Sequence, residues 1–211
     1  MKKTAKEVML ARIRASIANA PEPPEVPYTI RERDERDQAA IMEDFIERLL
    51  DYNAMVTHTD TVGLPQAIMD ACSQHTITRL VVPADLPATW IPEGVTVLRD
   101  ESPLSLGELD TASGVLTGCA LAIAQTGTII LDGRKNQGRR ALSLVPDRHL
   151  CVVRTEQVVG LVPEAIADLA QRATRPMTLI SGPSATSDIE LRRVEGVHGP
   201  RTLHVFLVYD H

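Results

Sequence analysis

The 211-residue sequence predicts an α/β fold with an open, mostly parallel β-sheet. Its first half alternates segments of helical period with short apolar runs, which is the pattern of consecutive β–α–β units. These runs are unbroken, as expected of parallel strands that are covered on both faces. The length is sufficient for one such domain with an appendage.

The appendage is predicted at the N-terminus. Residues 1–20 contain an amphipathic helix in which Leu10, Ile13 and Ile17 share one face. Residues 21–28 form a Pro-rich linker, which we expect to be extended because proline fixes φ and removes an N–H donor. A helix isolated by such a linker is only marginally stable alone. We therefore expect it to dock on its own domain, on a second subunit or on a different protein.

The globular domain is predicted to span residues 29–211. A helix is predicted to begin in the charged run 31–37, and its apolar face consists of Ile41, Phe45, Ile46, Leu49 and Leu50. The segments 118–124 and 128–132 flank a short Gly-containing turn, which predicts a hairpin. Two further helices are predicted in 65–72 and 163–171, and the remaining strands in 54–57, 79–83, 95–98, 150–153, 177–180 and 203–209, the last of which is expected to close the sheet.

Composition excludes several classes of function. A net charge of −6 and an aromatic content of 3% argue against nucleic-acid binding. The three cysteines have no metal-site or ferredoxin spacing, so we expect buried thiols without a disulfide, a metal or an iron–sulfur cluster. No apolar run approaches the roughly 20 residues of a membrane span. The sequence therefore predicts a cytoplasmic protein.

Residues 181–190 predict a strand–loop–helix junction that can hold a small anion. An apolar strand leads into small residues that include Gly182 and Ser184, and Ser187 with Glu190 fits a capping box at a helix start. The unpaired N–H groups of a helix start attract phosphate or carboxylate. The same pattern also occurs in capped connections that bind nothing, so both interpretations stay open.

Other residues can border the same crevice. The turn at residues 126–128 offers hydroxyl and N–H groups, although its residue types are also those of an ordinary hairpin turn. Asp188 can orient a ligand or simply be stabilised by the helix dipole. His198 can donate to a carboxylate or pack against the next strand. The candidate ligand-binding residues are Thr126, Gly127, Thr128, Gly182, Ser184, Ser187, Asp188 and His198.

Two further polar features have plain interpretations. His149 is expected to cap a turn ahead of a strand. The loop at residues 132–140 carries Arg134, Lys135, Arg139 and Arg140, which can steer an anionic substrate or contact a subunit but are by default solvated. No catalytic triad, carboxylate pair or P-loop is recognisable, so the sequence assigns no catalytic residue.

Four motifs occur together in this order: Ala124–Thr128, Ser143–His149, Ser181–Glu190 and Gly196–Pro200. With them the chain resembles the LUD-domain family, in particular its lactate utilization protein C branch, from about residue 41 to residue 209. It differs at Ala185, where many members are expected to carry Arg or Lys.

This resemblance implies a Rossmann-like open sheet of the NagB/RpiA/CoA-transferase class with a hairpin insertion. It also implies a subunit of a three-protein system that oxidises L-lactate to pyruvate, in which iron–sulfur clusters belong to the partner subunits. The chain itself would have no cofactor and would hold a small anionic ligand or organise its partners, with a homo-oligomer also open. The alternatives are a stand-alone CoA-transferase-, isomerase- or cyclo-ligase-like enzyme that acts on a phosphorylated or CoA-linked substrate, and a purely structural module.

Overall fold

The computed structural model describes residues 4–18, 30–170, 175–186, 194–195 and 199–209. The chain divides into two compact units, Met1–Ile30 and Arg31–His211. In the first unit, helix α1 covers Ala5–Ile17, where a helix was predicted. It begins with a capping box, in which Glu7 N donates to Thr4 Oγ1 and Thr4 N donates to Glu7 Oε2. The predicted linker, residues 21–28, lies outside the described residues.

Among its described residues the second unit contains four α-helices and three β-sheets, two of which carry the candidate site. The helices are α2 (Gln38–Asp51), α3 (Leu64–Gln74), α4 (Leu106–Asp110) and α5 (Val162–Ala170). The strands are β1 (Met55–Thr59), β2 (Arg79–Pro83), β3 (Thr96–Asp100), β4 (Gly114–Thr117), β5 (Leu121–Ile123), β6 (Thr128–Leu131), β7 (Arg148–Arg154), β8 (Val158–Val159), β9 (Thr178–Ile180), β10 (Ala185–Thr186), β11 (Val194–Glu195) and β12 (Thr202–Val208).

The main sheet has six strands in the order β1-β12-β7-β4-β2-β3, and every neighbouring pair is parallel. The predicted α/β class with a mostly parallel sheet is therefore confirmed. From β2 the chain moves outward to β3 and then returns to the other side of β2 as β4. The connections that leave β2 and β4 consequently diverge, and ligands of open α/β sheets bind beyond the carboxyl ends of strands at such a point.

A second sheet has four strands in the order β8-β5-β6-β9. Its β5 and β6 form the predicted antiparallel hairpin. Strand β9, predicted in 177–180 as one of the strands of the mostly parallel sheet, does not belong to that sheet, because it pairs antiparallel with β6 in the second one. Strand β12 does not close the main sheet either, since it lies between β1 and β7.

Both faces of the main sheet are covered. Helix α2, whose N-terminus is capped by Asp37 Oδ1 accepting from Ala40 N at 2.8 Å, packs with the second sheet on one face. Helix α3 packs on the other face. Within α2, Phe45 and Leu49 are fully buried as predicted, but Leu50 is 55% exposed and is not part of the apolar face.

The three cysteines, Cys72, Cys119 and Cys151, are free and buried, as the sequence predicted. Burial raises the pKa of the Cys72 thiol to about 11 and that of Cys151 to about 12. Among the helices that the structure describes, none combines the length and the apolar character that crossing a membrane requires.

Candidate functional site

A cavity of about 240 Å³, here called the inner chamber, lies between the main sheet and β9. Its floor includes the first residues of two neighbouring strands, where His149 in β7 pairs with Leu203 in β12. Its rim includes the loop after β9. The polar side chains among its described lining residues are Ser143, His149, Thr178, Ser181 and Ser184. The chamber therefore combines hydroxyl groups with one imidazole.

His149 is the most unusual residue of the inner chamber. It is only 1% exposed, and its Nε2 lies 2.7 Å from Thr117 Oγ1. Its Nδ1 is buried and has no hydrogen-bond partner in the part of the chain that the structure describes. Burial lowers the pKa of His149 to about 4, so the ring is neutral near pH 7. The expectation that His149 caps a turn is wrong, since its side chain points into the interior from β7 and bonds across to β4.

Two of the predicted ligand-binding residues, Gly182 and Ser184, line the inner chamber. Gly182 has φ of +79°, and a Cβ built there would lie 2.5 Å from Tyr52 Cβ. Ser184 N donates to Pro200 O at 2.8 Å, which joins the loop after β9 to the start of β12. Gly182 is thus required for close packing, whereas its role in ligand binding stays a prediction.

The turn at residues 126–128 lies against helix α2. Gly127 has φ of +57°, and a Cβ there would lie 2.8 Å from Arg48 Cβ. The Thr128 hydroxyl lies 2.7 Å from that of Thr126 and 2.8 Å from that of Ser181, which itself lines the inner chamber. The turn therefore reaches the chamber through Ser181, and its conformation is that of a hairpin turn packed on a helix.

Three predicted ligand-binding residues, Ser187, Asp188 and His198, lie outside the described residues, as does the helix start expected at Ser187. The short strands β10 and β11 on either side of residues 187–193 pair antiparallel with each other.

A second cavity of about 480 Å³, the outer chamber, opens at the carboxyl ends of β2 and β3. The loop at residues 132–140 forms much of its wall, and Arg175 contributes from the segment before β9. Ser143 and Thr178 line both chambers, so the two cavities adjoin. The outer chamber lies at the edge of the sheet where ligands of this architecture bind.

The carboxylates of the outer chamber are all engaged. Asp100 accepts two hydrogen bonds from the guanidinium of Arg139, at 2.9 and 3.1 Å. Asp132 lies 3.4 Å from Arg134 Nε. The third carboxylate, Asp85, accepts from the backbone N–H of Asn136 at 3.0 Å. Asp100 and Asp132 are thus paired with arginines of the chamber, whereas Asp85 accepts from a neutral N–H.

Arg140 and Arg175 also line the outer chamber, and neither has an ion-pair or hydrogen-bond partner for its guanidinium among the described residues. The sequence reasoning treated Arg140 as solvated by default and did not single out Arg175. The two arginines are 35 positions apart in the sequence, so no local motif links them. They line one cavity because the segment before β9 returns beside the loop at residues 132–140.

A third cavity of about 290 Å³ borders the same loop at the carboxyl ends of β4 and β7. Cys119 lies on its wall, where burial raises the pKa of the thiol well above its usual value. Gln157 Nε2 donates to Cys119 O at 2.7 Å. The Cys119 thiol is therefore protonated and held in packing, which does not suit a nucleophile.

A CoA-transferase-like reaction needs a glutamate nucleophile, and Glu156, exposed in the short helical turn Thr155–Gln157, lines neither chamber. Glu190 lies outside the described residues. Over the ranges that the structure describes, no three His, Cys, Asp or Glu side chains are arranged to share a metal ion.

Comparisons with known proteins agree on one family. The family model of the LUD domain matches residues 106–208. A Deinococcus radiodurans protein named Lactate utilization protein C is 52% identical over 97% of this chain and 95% of its own length. A Bacillus subtilis protein of the same name is 27% identical over 72% of this chain and 71% of its own. The crystal structure of a DUF162 family protein from Deinococcus radiodurans has a TM-score of 0.72 and 50% identity, covering 82% of this chain and 99% of that one.

Proposed function

This chain belongs to the LUD-domain family, in its lactate utilization protein C branch, and from that membership we propose that it takes part in the use of lactate as a subunit of an L-lactate oxidation system. The observation that carries this proposal is the 52% identity to a protein of that name across nearly the whole of both chains. Identity at this level over full length favours a shared role as well as a shared fold.

Electron transfer in such a system is assigned to iron–sulfur partner subunits. The thiols of this chain support that division, since all three are buried and the pKa of each is raised by burial. Cluster ligands must be thiolates, whereas these thiols are protonated and inaccessible. The same reduced thiols fit the cytoplasm, where we place the protein.

The contribution of this chain is to bind a small anionic ligand in the crevice formed by the inner and outer chambers, and to present it to the partner subunits. The position of the outer chamber supports this, because it lies at the carboxyl edge of a parallel sheet beside diverging connections. Arg140 and Arg175, whose guanidiniums have no partner among the described residues, supply the positive charge that an anion requires.

Deletion of the gene in the native organism tests the proposal. We expect loss of growth on L-lactate as the sole carbon source, normal growth on glucose, and rescue by the full-length chain. The rescuing chain, when tagged, should co-purify with iron–sulfur proteins in a lactate-dependent manner.

Normal growth of the deletion strain on L-lactate would overturn the proposal. That result would favour the rival, a stand-alone enzyme of CoA-transferase-, isomerase- or cyclo-ligase-like type that uses the same crevice. The position of the crevice suits both functions, and the growth phenotype separates them.

A further inference from the structure

We propose that the two chambers hold one elongated ligand, whose phosphate or carboxylate group lies between Arg140 and Arg175 and whose far end bears a hydroxyl or carbonyl group that hydrogen-bonds with His149 Nδ1. The inference rests on the proposed function in one respect, namely that the crevice binds an anion. It goes further by assigning the residues that bind each end and by making the ligand longer than lactate.

The charges of the outer chamber carry the first step. Asp85, Asp100 and Asp132 are each engaged by protein donors, and the guanidiniums of Arg134 and Arg139 are the partners of two of them. Arg140 and Arg175 pair with none of the described carboxylates, and both line the same cavity. Arginine presents a planar set of donors that matches the oxygens of carboxylate and phosphate. The uncompensated charge therefore selects an anionic group.

The imidazole of the inner chamber carries the second step independently. His149 is held rigidly, since it is 1% exposed and its Nε2 is bonded to Thr117 Oγ1. Its Nδ1 has no partner among the described residues, although buried polar atoms are nearly always hydrogen-bonded and an unsatisfied one is costly. A ligand group in the chamber satisfies Nδ1. A hydroxyl or carbonyl suits this position, because the neutral ring offers no charge to offset the burial of a second anion.

The shape of the crevice joins the two steps. Ser143 and Thr178 belong to both linings, and Ser143 Oγ donates to Arg140 O at 3.2 Å, which couples the common wall to the arginine. The chambers measure about 240 and 480 Å³. A three-carbon hydroxy acid occupies only on the order of 100 Å³, judged from the volume of liquid water per molecule. A ligand that reaches both ends must be larger.

The test is a calorimetric titration of the full-length protein with four probes. Glycerol 3-phosphate and 4-hydroxybutyrate each carry an anionic group and a distant hydroxyl, inorganic phosphate lacks the far end, and L-lactate is short. We expect one of the two-ended probes to bind about tenfold more tightly than L-lactate, as one additional hydrogen bond to a buried group predicts. Binding of glycerol 3-phosphate identifies phosphate as the anionic group, and binding of 4-hydroxybutyrate identifies carboxylate.

Variants assign the two ends. Arg140→Gln and Arg175→Gln should each lower the affinity for the two-ended probe about tenfold or more. The matched control Arg33→Gln, at an exposed position away from the chambers, should leave this affinity unchanged. His149→Asn should weaken that probe about tenfold and leave the affinity for inorganic phosphate unchanged. On the unmodified protein, the ring NMR signals of His149 should shift with the two-ended probe and not with inorganic phosphate, which keeps the test independent of how the variant folds.

The inference is overturned if neither two-ended probe binds, if the arginine variants bind like the control, or if the His149 signals do not respond. These measurements use purified protein and do not depend on growth. If the deletion strain grows normally on lactate but the expected binding pattern is observed, the proposed function is refuted and the site stands. If the strain loses growth on lactate but the binding pattern fails, the site alone is refuted.

Discussion

At the scale of single residues, Gly182 shows how packing and binding can be confused in a sequence. The sequence places it in a loop that suits an anion, and it does line the inner chamber. Its left-handed backbone also brings it against Tyr52, at a distance that no Cβ can occupy. A bulky residue at this position would therefore disturb the fold, and loss of binding in such a variant would not locate a ligand.

Gly182→Ala should lower the free energy of unfolding by more than about 2 kcal/mol, because it combines the strain of a positive φ with a steric overlap. Gly94 is the matched control, since its φ of +76° is nearly the same but no atom lies within 4 Å of its Cβ position. Gly94→Ala should cost only about 1 kcal/mol. Urea unfolding measures both, and equal losses in the two variants would refute the role of Tyr52.

At the scale of elements, helix α2 shows that a helical period locates a buried face only to within one residue. Leu49 and Leu50 are adjacent, and the sequence assigned both to the apolar face. Leu49 is 0% exposed and packs in the core with Phe45, whereas Leu50 is 55% exposed. Successive residues on a helix are about 100° apart, so only one of two neighbours can point directly at the sheet.

Leu49→Ala should therefore cost about 3 kcal/mol of unfolding free energy, since it removes a fully buried side chain and leaves a cavity. Leu50→Ala should change the unfolding free energy by less than about 0.5 kcal/mol. The two variants make the same substitution at adjacent positions, so they differ only in the burial of the leucine that is removed. Similar midpoints of thermal unfolding for the two variants would contradict the burial assigned to α2.

The positions of most strands could be predicted, because unbroken apolar runs are a local property of the sequence. Strand β2 was predicted at its observed bounds, and the hairpin of β5 and β6 was recognised from its Gly-containing turn. Strand β4 was missed, since its four residues run almost directly into β5 and leave no turn signal. The sheet to which β9 belongs could not be read locally, because pairing depends on residues about 50 positions away.

The candidate site was predictable only in part for the same reason. Gly182 and Ser184 follow one strand directly, and a strand-to-loop transition is visible in the sequence. The placement of Arg140 and Arg175 in one cavity, and the hydrogen bond of His149 to Thr117 across two strands, result from tertiary packing. The position of His149 near the start of a buried parallel strand was the signal available in the sequence. His149 was assigned to the preceding turn instead.

At the scale of the whole molecule, the second unit buries two histidines on opposite faces of its main sheet. His149 bonds to Thr117, while His204 bonds to Thr57 at 2.8 Å and to His75 at 3.1 Å. Burial lowers the pKa of His149 and of His204 to about 4, with His75 adding to the effect at His204. Both rings must therefore be neutral in the folded protein.

Stability should consequently fall as the pH is lowered from 6.5 towards 4. The unfolded chain takes up protons at its histidines near pH 6.5, whereas the folded chain does not take them up at His149 and His204 until about pH 4. In this window the unfolded state binds more protons, so the free energy of unfolding decreases with acidity. For each histidine the slope approaches about 1.4 kcal/mol per pH unit.

Urea unfolding between pH 6.5 and 5 measures this slope above the range in which most carboxylates titrate. His149→Asn and His204→Asn each remove one of the two linked protons, so each variant should show a shallower slope, whatever its stability at pH 7. Because the two sites lie on opposite faces of the sheet, their effects on the slope should add in the double variant. A slope that is the same in the unmodified protein and in all three variants would mean that neither histidine is buried in its neutral form.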